Sequence, residues 1–138
     1  MTTANLLQQW FDQVWNQANE DSIPAMMDKD AILHGLDSAG TTTGIESFRE
    51  FYKNFRQTFP TVSIEVTPLV HDAEMATAYC NVIAKTSNLR EINFSGLCVG
   101  RYKNGMLVEC WNNFDFLKMY QQLGHILVEP IKDMNTIS

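Results

Sequence analysis

The sequence predicts an α+β domain in which helices cover one face of a curved, mostly antiparallel sheet and enclose a pocket for a small apolar molecule. Three observations predict it. In the first part of the chain, apolar residues recur at steps of three and four, the spacing of a helix buried along one side. After Pro60 the period changes to two, as Val62, Ile64 and Val66 alternate with Ser63, Glu65 and Thr67, the pattern of a strand with one buried face. Further strand-like segments then follow with only turns between them, and strands joined by turns pair antiparallel. Helices first and strands afterwards place the helices together on one sheet face.

The first helix is expected from Ala4 to Ala18, where Leu6, Leu7, Trp10, Phe11, Val14 and Trp15 make one apolar stripe. Asp21-Ser22-Ile23-Pro24 offers a cap and an early proline for a short second helix ending near Met27, since proline fits a helix's first turn. A brief strand follows at Ala31 to Gly35. Thr43-Gly44-Ile45-Glu46 matches a capping box. The third helix that it opens carries Ile45, Phe48, Phe51, Tyr52 and Phe55 on one side and stops before Pro60. A turn near His71 to Glu74 leads to strands at Met75 to Lys85, about Glu91 to Lys103, and Met106 to Phe114. Gly124 ends a final helix that runs from Leu117 to Leu123, because glycine accepts the left-handed conformation that closes helices.

At 138 residues the chain is expected to form one domain, 1–138, in which 125–138 is an extended tail. Its net charge of −6, with no cluster of Lys or Arg, argues against nucleic acid as a partner. No apolar run approaches the roughly 18 residues needed to span a bilayer. The start, Met1-Thr2-Thr3-Ala4-Asn5, lacks the charged and apolar parts of a secretion signal. No membrane partner and a cytoplasmic location are therefore expected. Cys80, Cys98 and Cys110 are odd in number and contain no CxxC pair, so buried free thiols are expected rather than disulfides or a metal site.

Asn104-Gly105 is a strong two-residue turn signal, because both positions of such a turn need positive φ. With unbroken pairing from that turn, Lys103 faces Met106, Arg101 faces Val108, Val99 faces Cys110 and Gly96 faces Asn113. One face then carries Phe94, Gly96, Cys98, Gly100 and Tyr102 beside Leu107, Glu109, Trp111, Asn113 and Asp115. Gly96 and Gly100 leave space bordered by an acid, an amide and an indole, which suits a small-molecule pocket. The same glycines can instead bend the sheet or form a bulge that shifts the register. The opposite face, with Leu97, Val99, Val108 and Phe114, is apolar as well, and a homodimer through it is expected.

These features, in order, resemble the SnoaL-like polyketide cyclases of the NTF2-like superfamily, over nearly the whole chain. The most specific stretch is Asn104 to Asp115, with a tryptophan four residues before an aspartate, followed by Gln121-Gln122-Leu123-Gly124. His34-Gly35 and Phe59-Pro60 match too. The resemblance implies a cone-shaped NTF2-like (cystatin-like) α+β fold with three N-terminal helices, commonly dimeric and without a cofactor. It implies an aspartate on the last strand, here Asp115, that removes a proton from an activated carbon, so that the carbanion closes a ring by aldol attack. The family's cyclases pair that aspartate with a histidine on a neighbouring strand, whereas here no histidine lies between His71 and His125.

His34 is then the available catalytic partner for Asp115. Asn113 is placed to donate to an enolate oxygen, and Trp111 to stack on a planar ring. Trp15, Phe51, Phe55 and Tyr79 complete the expected substrate wall. Each has a plainer reading: Asp115 precedes a helix, where aspartate is a favoured N-cap, and the aromatic residues are ordinary core. His71 and His125 are expected on the surface. The resulting expectation is a cofactor-free enzyme, a cyclase or isomerase, acting on a small apolar carbonyl compound. Its alternative is a non-catalytic binding protein for an apolar ligand. Water addition to an epoxide ranks last, because it needs a network of buried carboxylates.

Overall fold

The computed structural model describes residues 1–36 and 40–124. The expected tail and His125 lie outside the described residues. The elements in chain order are helix α1 (Thr3–Trp10), continued by a wider π-helical segment (Phe11–Asn16), helix α2 (Ser22–Met26), strand β1 (Met27–His34), strand β2 (Thr41–Thr43) and helix α3 (Ile45–Thr58). Strands β3 (Thr61–His71), β4 (Met75–Lys85), β5 (Glu91–Lys103) and β6 (Met106–Phe114) follow, then helix α4 (Phe116–Gln122). The fold is α+β, as expected, and the bounds of β4, β5 and β6 are those read from the sequence.

One sheet contains all six strands in the order β2-β1-β6-β5-β4-β3. Every neighbouring pair is antiparallel except β1 with β6, which run parallel. Alternation along β4 buries Ala76, Ala78, Cys80, Val82 and Ala84. The small residues leave room for α1 and the π-helical segment, whose Leu7, Trp10, Phe11, Val14 and Trp15 are all buried. Two side chains fix the helical layer to the sheet. Asn16 donates from Nδ2 to the Ile64 carbonyl at 2.9 Å and accepts from the Ile64 amide at 2.6 Å. Thr3 donates from Oγ1 to the Asp72 carbonyl at 2.7 Å.

The structure departs from the sequence reading in several local places. The first helix is not uniformly α-helical, as it widens after Trp10. Strand β2 was not expected, and β1 begins at Met27, four residues early. The capping box does not form: Gly44, at φ +93°, is the N-cap and provides no side-chain bond. The reason is that Thr43 is held extended by pairing with Ile32, and its carbonyl accepts from Ser47 Oγ at 2.9 Å. On α3, Phe48 and Tyr52 are buried and Phe51 and Phe55 pack half-buried beside them, the side that the spacing predicted.

Candidate functional site

The site is set by the register of β5 on β6. Pairing leaves the Asn104-Gly105 turn as expected, with Lys103 opposite Met106 and Tyr102 opposite Leu107. Then Arg101 pairs with Glu109, so Val108 is an extra residue. Beyond this bulge Gly100 faces Cys110, Cys98 faces Asn112 and Gly96 faces Phe114. Because side chains alternate with period two, one extra residue sends every later one to the other face. Cys110, Asn112 and Phe114 therefore point inward, and Glu109, Trp111 and Asn113 point outward, reversing the unbroken register. Cys98 and Cys110 share a face, and all three cysteines are free and buried, as expected.

The space above the two glycines is also filled. A Cβ on Gly96 would stand 2.5 Å from Phe114 Cα, and one on Gly100 would stand 3.0 Å from Tyr102 Cε2. These glycines admit close neighbours instead of bordering a void.

The void lies deeper, between sheet and helices. It measures about 50 Å³ and is walled by Trp10, Trp15, Phe51, Phe55, Phe94 and Phe114 among others. Trp15, Phe51 and Phe55 are thus where the sequence put them. Tyr79 is not, since it projects from the outer sheet face opposite Leu97 and is 38% exposed. Leu36, Phe51, Phe55 and Phe116 border both this void and a groove of about 700 Å³ along α3 and α4.

Besides the indoles of Trp10 and Trp15, the polar side chains among the lining residues are Asn112 and two thiols, Cys98 and Cys110. Asn112 donates from Nδ2 to the His34 carbonyl at 3.0 Å and leans on Cys110 Sγ at 3.4 Å. Its Oδ1 accepts weakly from the Cys98 thiol at 3.5 Å. Burial pushes the Cys110 thiol up to about 11 and Cys98 well above the usual thiol range, so both stay protonated and neither serves as a nucleophile. Among the lining residues there is no carboxylate or imidazole.

The residues expected to be catalytic stand elsewhere. Asp115 is exposed and caps α4, its Oδ1 accepting from the Lys118 amide at 3.0 Å. Asp115→Ala is expected to cost about 1 kcal/mol of stability, the usual loss for an N-cap, read as a shift of the urea midpoint with an unchanged slope. His34 lies on the outer face, stacked on Trp111 with ring centroids 5.2 Å apart. Its Nε2 donates to Glu109 Oε2 at 2.7 Å, and its Nδ1 shares a hydrogen bond with the Thr41 hydroxyl at 2.9 Å. Arg101 donates to the other oxygen of Glu109 at 2.9 and 3.1 Å. Asp115 and His34 are therefore not brought together, and Asn113 is exposed.

His34 and Arg101 hold the Glu109 carboxyl below the usual range. A carboxylate whose folded value is depressed stabilises the fold above its unfolded value, and that gain drains away as pH falls through the folded value. Glu109→Gln is therefore expected to lower the melting temperature at pH 7 but to converge with the parent protein as pH drops below 4.5, the ordinary value of this group. A difference that persists undiminished at pH 2 would contradict that role.

Asn112 is the residue that the sequence reading missed. A signal was present: unbroken alternation turns Glu109, Asn113 and Asp115 inward and Cys110 and Phe114 outward. That is an improbable exchange for a buried face, and one bulge reverses it. Among the described residues no group of three His, Cys, Asp or Glu side chains could hold a metal ion. No helix there is long and apolar enough to cross a membrane.

The family model for "SnoaL-like polyketide cyclase" matches residues 5–123. No curated protein matches the chain. Among solved structures, a candidate polyketide cyclase from Bacillus cereus ATCC 10987 is 28% identical, with a TM-score of 0.76 over 88% of this chain and 80% of that one. IdmH, a candidate polyketide cyclase from Streptomyces antibioticus, is 18% identical, with a TM-score of 0.76 over 91% of this chain and all of its own. A third, from Acidithiobacillus ferrooxidans, is 22% identical at a TM-score of 0.77, covering 89% and 95% of the two chains. The last two likenesses speak for the fold alone.

Proposed function

The chain belongs to the SnoaL-like polyketide cyclase family, and from that premise we propose that it binds a small apolar carbonyl compound in the cone without acid–base chemistry by an interior carboxylate. The observation that carries this reading is that the lining of the void offers an amide, two neutral thiols and two indoles and no carboxylate or imidazole. An amide can orient a ligand oxygen, but it does not take a proton at neutral pH. At about 50 Å³, the void is smaller than the roughly 150 Å³ cavity that admits benzene. It takes the small end of a ligand, while the rest lies past Phe51, Phe55 and Phe116 in the groove.

Ring closure or isomerisation, with Asp115 as base and His34 as partner, is the second reading, favoured by family membership. It requires Asp115 to leave its cap and reach the void. Native mass spectrometry with a panel of aromatic ketones and β-polyketones, run on the parent protein and Asp115→Asn, separates the two. Equal binding and no product from either supports the binding reading. Product from the parent protein that disappears in Asp115→Asn replaces it with the cyclase.

The same proposal includes a homodimer. Tyr79, Ile83 and Leu97 are exposed on the outer sheet face, and a second copy of the chain would bury them. A single monomeric species in sedimentation at tens of micromolar protein would end that part.

A further inference from the structure

We propose that Glu50 sets which ligands the groove along α3 accepts: the molecule whose apolar end fills the void carries an outer arm that ends in an ammonium group, and Glu50 meets it. The inference rests on the ligand-binding reading and deepens it by naming the chemistry of the part outside the void. Void and groove are continuous, because Leu36, Phe51, Phe55 and Phe116 border both. A ligand longer than the void passes these four side chains into the groove.

The groove differs from the void in its chemistry. Ser47, Glu50, Asn54 and Thr58 line it along α3, and their spacing of three and four residues puts them on one side of the helix. Phe51, Phe55 and Phe59 line it beside that polar stripe. The Ser47 hydroxyl donates to the Thr43 carbonyl at 2.9 Å, which leaves its oxygen as an acceptor, and an ionised carboxylate such as Glu50 only accepts. Glu50 is exposed, and it is the one charged side chain among the described residues lining the groove. Those lining the void add no charge, and neither set contains a lysine, arginine or histidine. A carboxylate or phosphate on the arm would therefore meet one negative charge and no positive one. The chain's net charge of −6 repels it further. An N–H-rich cation meets a carboxylate and hydroxyl oxygens along the same stripe.

The test uses acetophenone as the armless reference, with acetophenones bearing one short para arm ended by a carboxylate, a primary amide or an ammonium group. Each is titrated by ligand-observed NMR at low ionic strength against the full chain, Glu50→Gln and Glu65→Gln. Glu65 is an exposed acid of β3 that lines neither void nor groove, so its variant removes the same charge elsewhere. In the parent protein the ammonium arm is expected to bind about threefold tighter than the amide, and the amide about threefold tighter than the carboxylate, the scale of an exposed charge pair. Glu50→Gln is expected to abolish the ammonium preference and leave the acetophenone Kd unchanged, while Glu65→Gln retains the order. An ammonium arm that binds no tighter than the amide, or the same change in both variants, overturns the inference and leaves the pocket intact. Failure of the parent protein to bind any of the four molecules overturns the ligand reading and the inference with it. Added salt is expected to narrow the gap between ammonium and amide; a gap that salt does not touch counts against a charge contact at Glu50.

Discussion

Gly35→Ala is expected to remove most of the protein's stability, more than about 4 kcal/mol from a domain that holds about 5–15 in total. Gly35 sits at φ +77°, and a Cβ there would lie 2.1 Å from the Asn112 carbonyl oxygen and 3.2 Å from its carbon. Both obstacles are backbone, so no rotamer change relieves them. The contact exists because β1 runs parallel beside β6 with His34 opposite Trp111, which brings the next residue against Asn112, whose Nδ2 donates to the carbonyl of His34. Gly40→Ala is the internal control. It too has a positive φ, +84°, but among the described residues a Cβ there meets nothing within 4 Å. It is expected to cost only the left-handed strain of an alanine, about 1–2 kcal/mol. Urea midpoints for the two variants separate strain from collision, and equal losses would show that the contact of Gly35 with Asn112 is looser than described.

Trp15→Ala is expected to cost about 3–5 kcal/mol, the range for deleting a large buried aromatic side chain. Trp15 is 6% exposed and meets Tyr52 at 4.8 Å, Phe55 at 5.3 Å, Phe48 at 6.2 Å and Phe51 at 6.3 Å between ring centroids. It also walls the void, so its removal enlarges that void rather than opening a separate hole. Millimolar indole is expected to recover part of the loss, because a ligand that binds only the folded state stabilises it by mass action. Thermal melts with and without indole check this. A variant with normal stability and no response to indole would mean that the helical layer has collapsed onto the sheet.

The fold was largely legible in the sequence because its evidence is local. The stripe from Leu7 to Trp15, the change of period after Pro60 and the Asn104-Gly105 turn each imply an element within their own span. Strand β2 left no such trace, since Thr41 to Thr43 form an edge strand through pairing with β1. The site was read one residue out of phase for a related reason. A bulge at Val108 depends on how β6 meets β5 and on Gly96 admitting Phe114, and neither fact is local. Turn geometry set the register only as far as Leu107. The helix-borne residues Trp15, Phe51 and Phe55 do border the void, because a helix stripe cannot slip by one. On the strands, Trp111 and Asn113 were displaced by that slip. Asp115 followed its local signal, an aspartate ahead of a helix, and took the capping role.

The claim on which the account turns is the phase of β6: Asn112 inward, with Asn113 and Asp115 outward. Protein–ligand NOEs to bound acetophenone on uniformly labelled protein measure it most directly. The expected result is a contact to the Nδ2 protons of Asn112 and none to those of Asn113. Contacts to Asn113 with Asn112 silent would contradict it and would return the strand to the unbroken register.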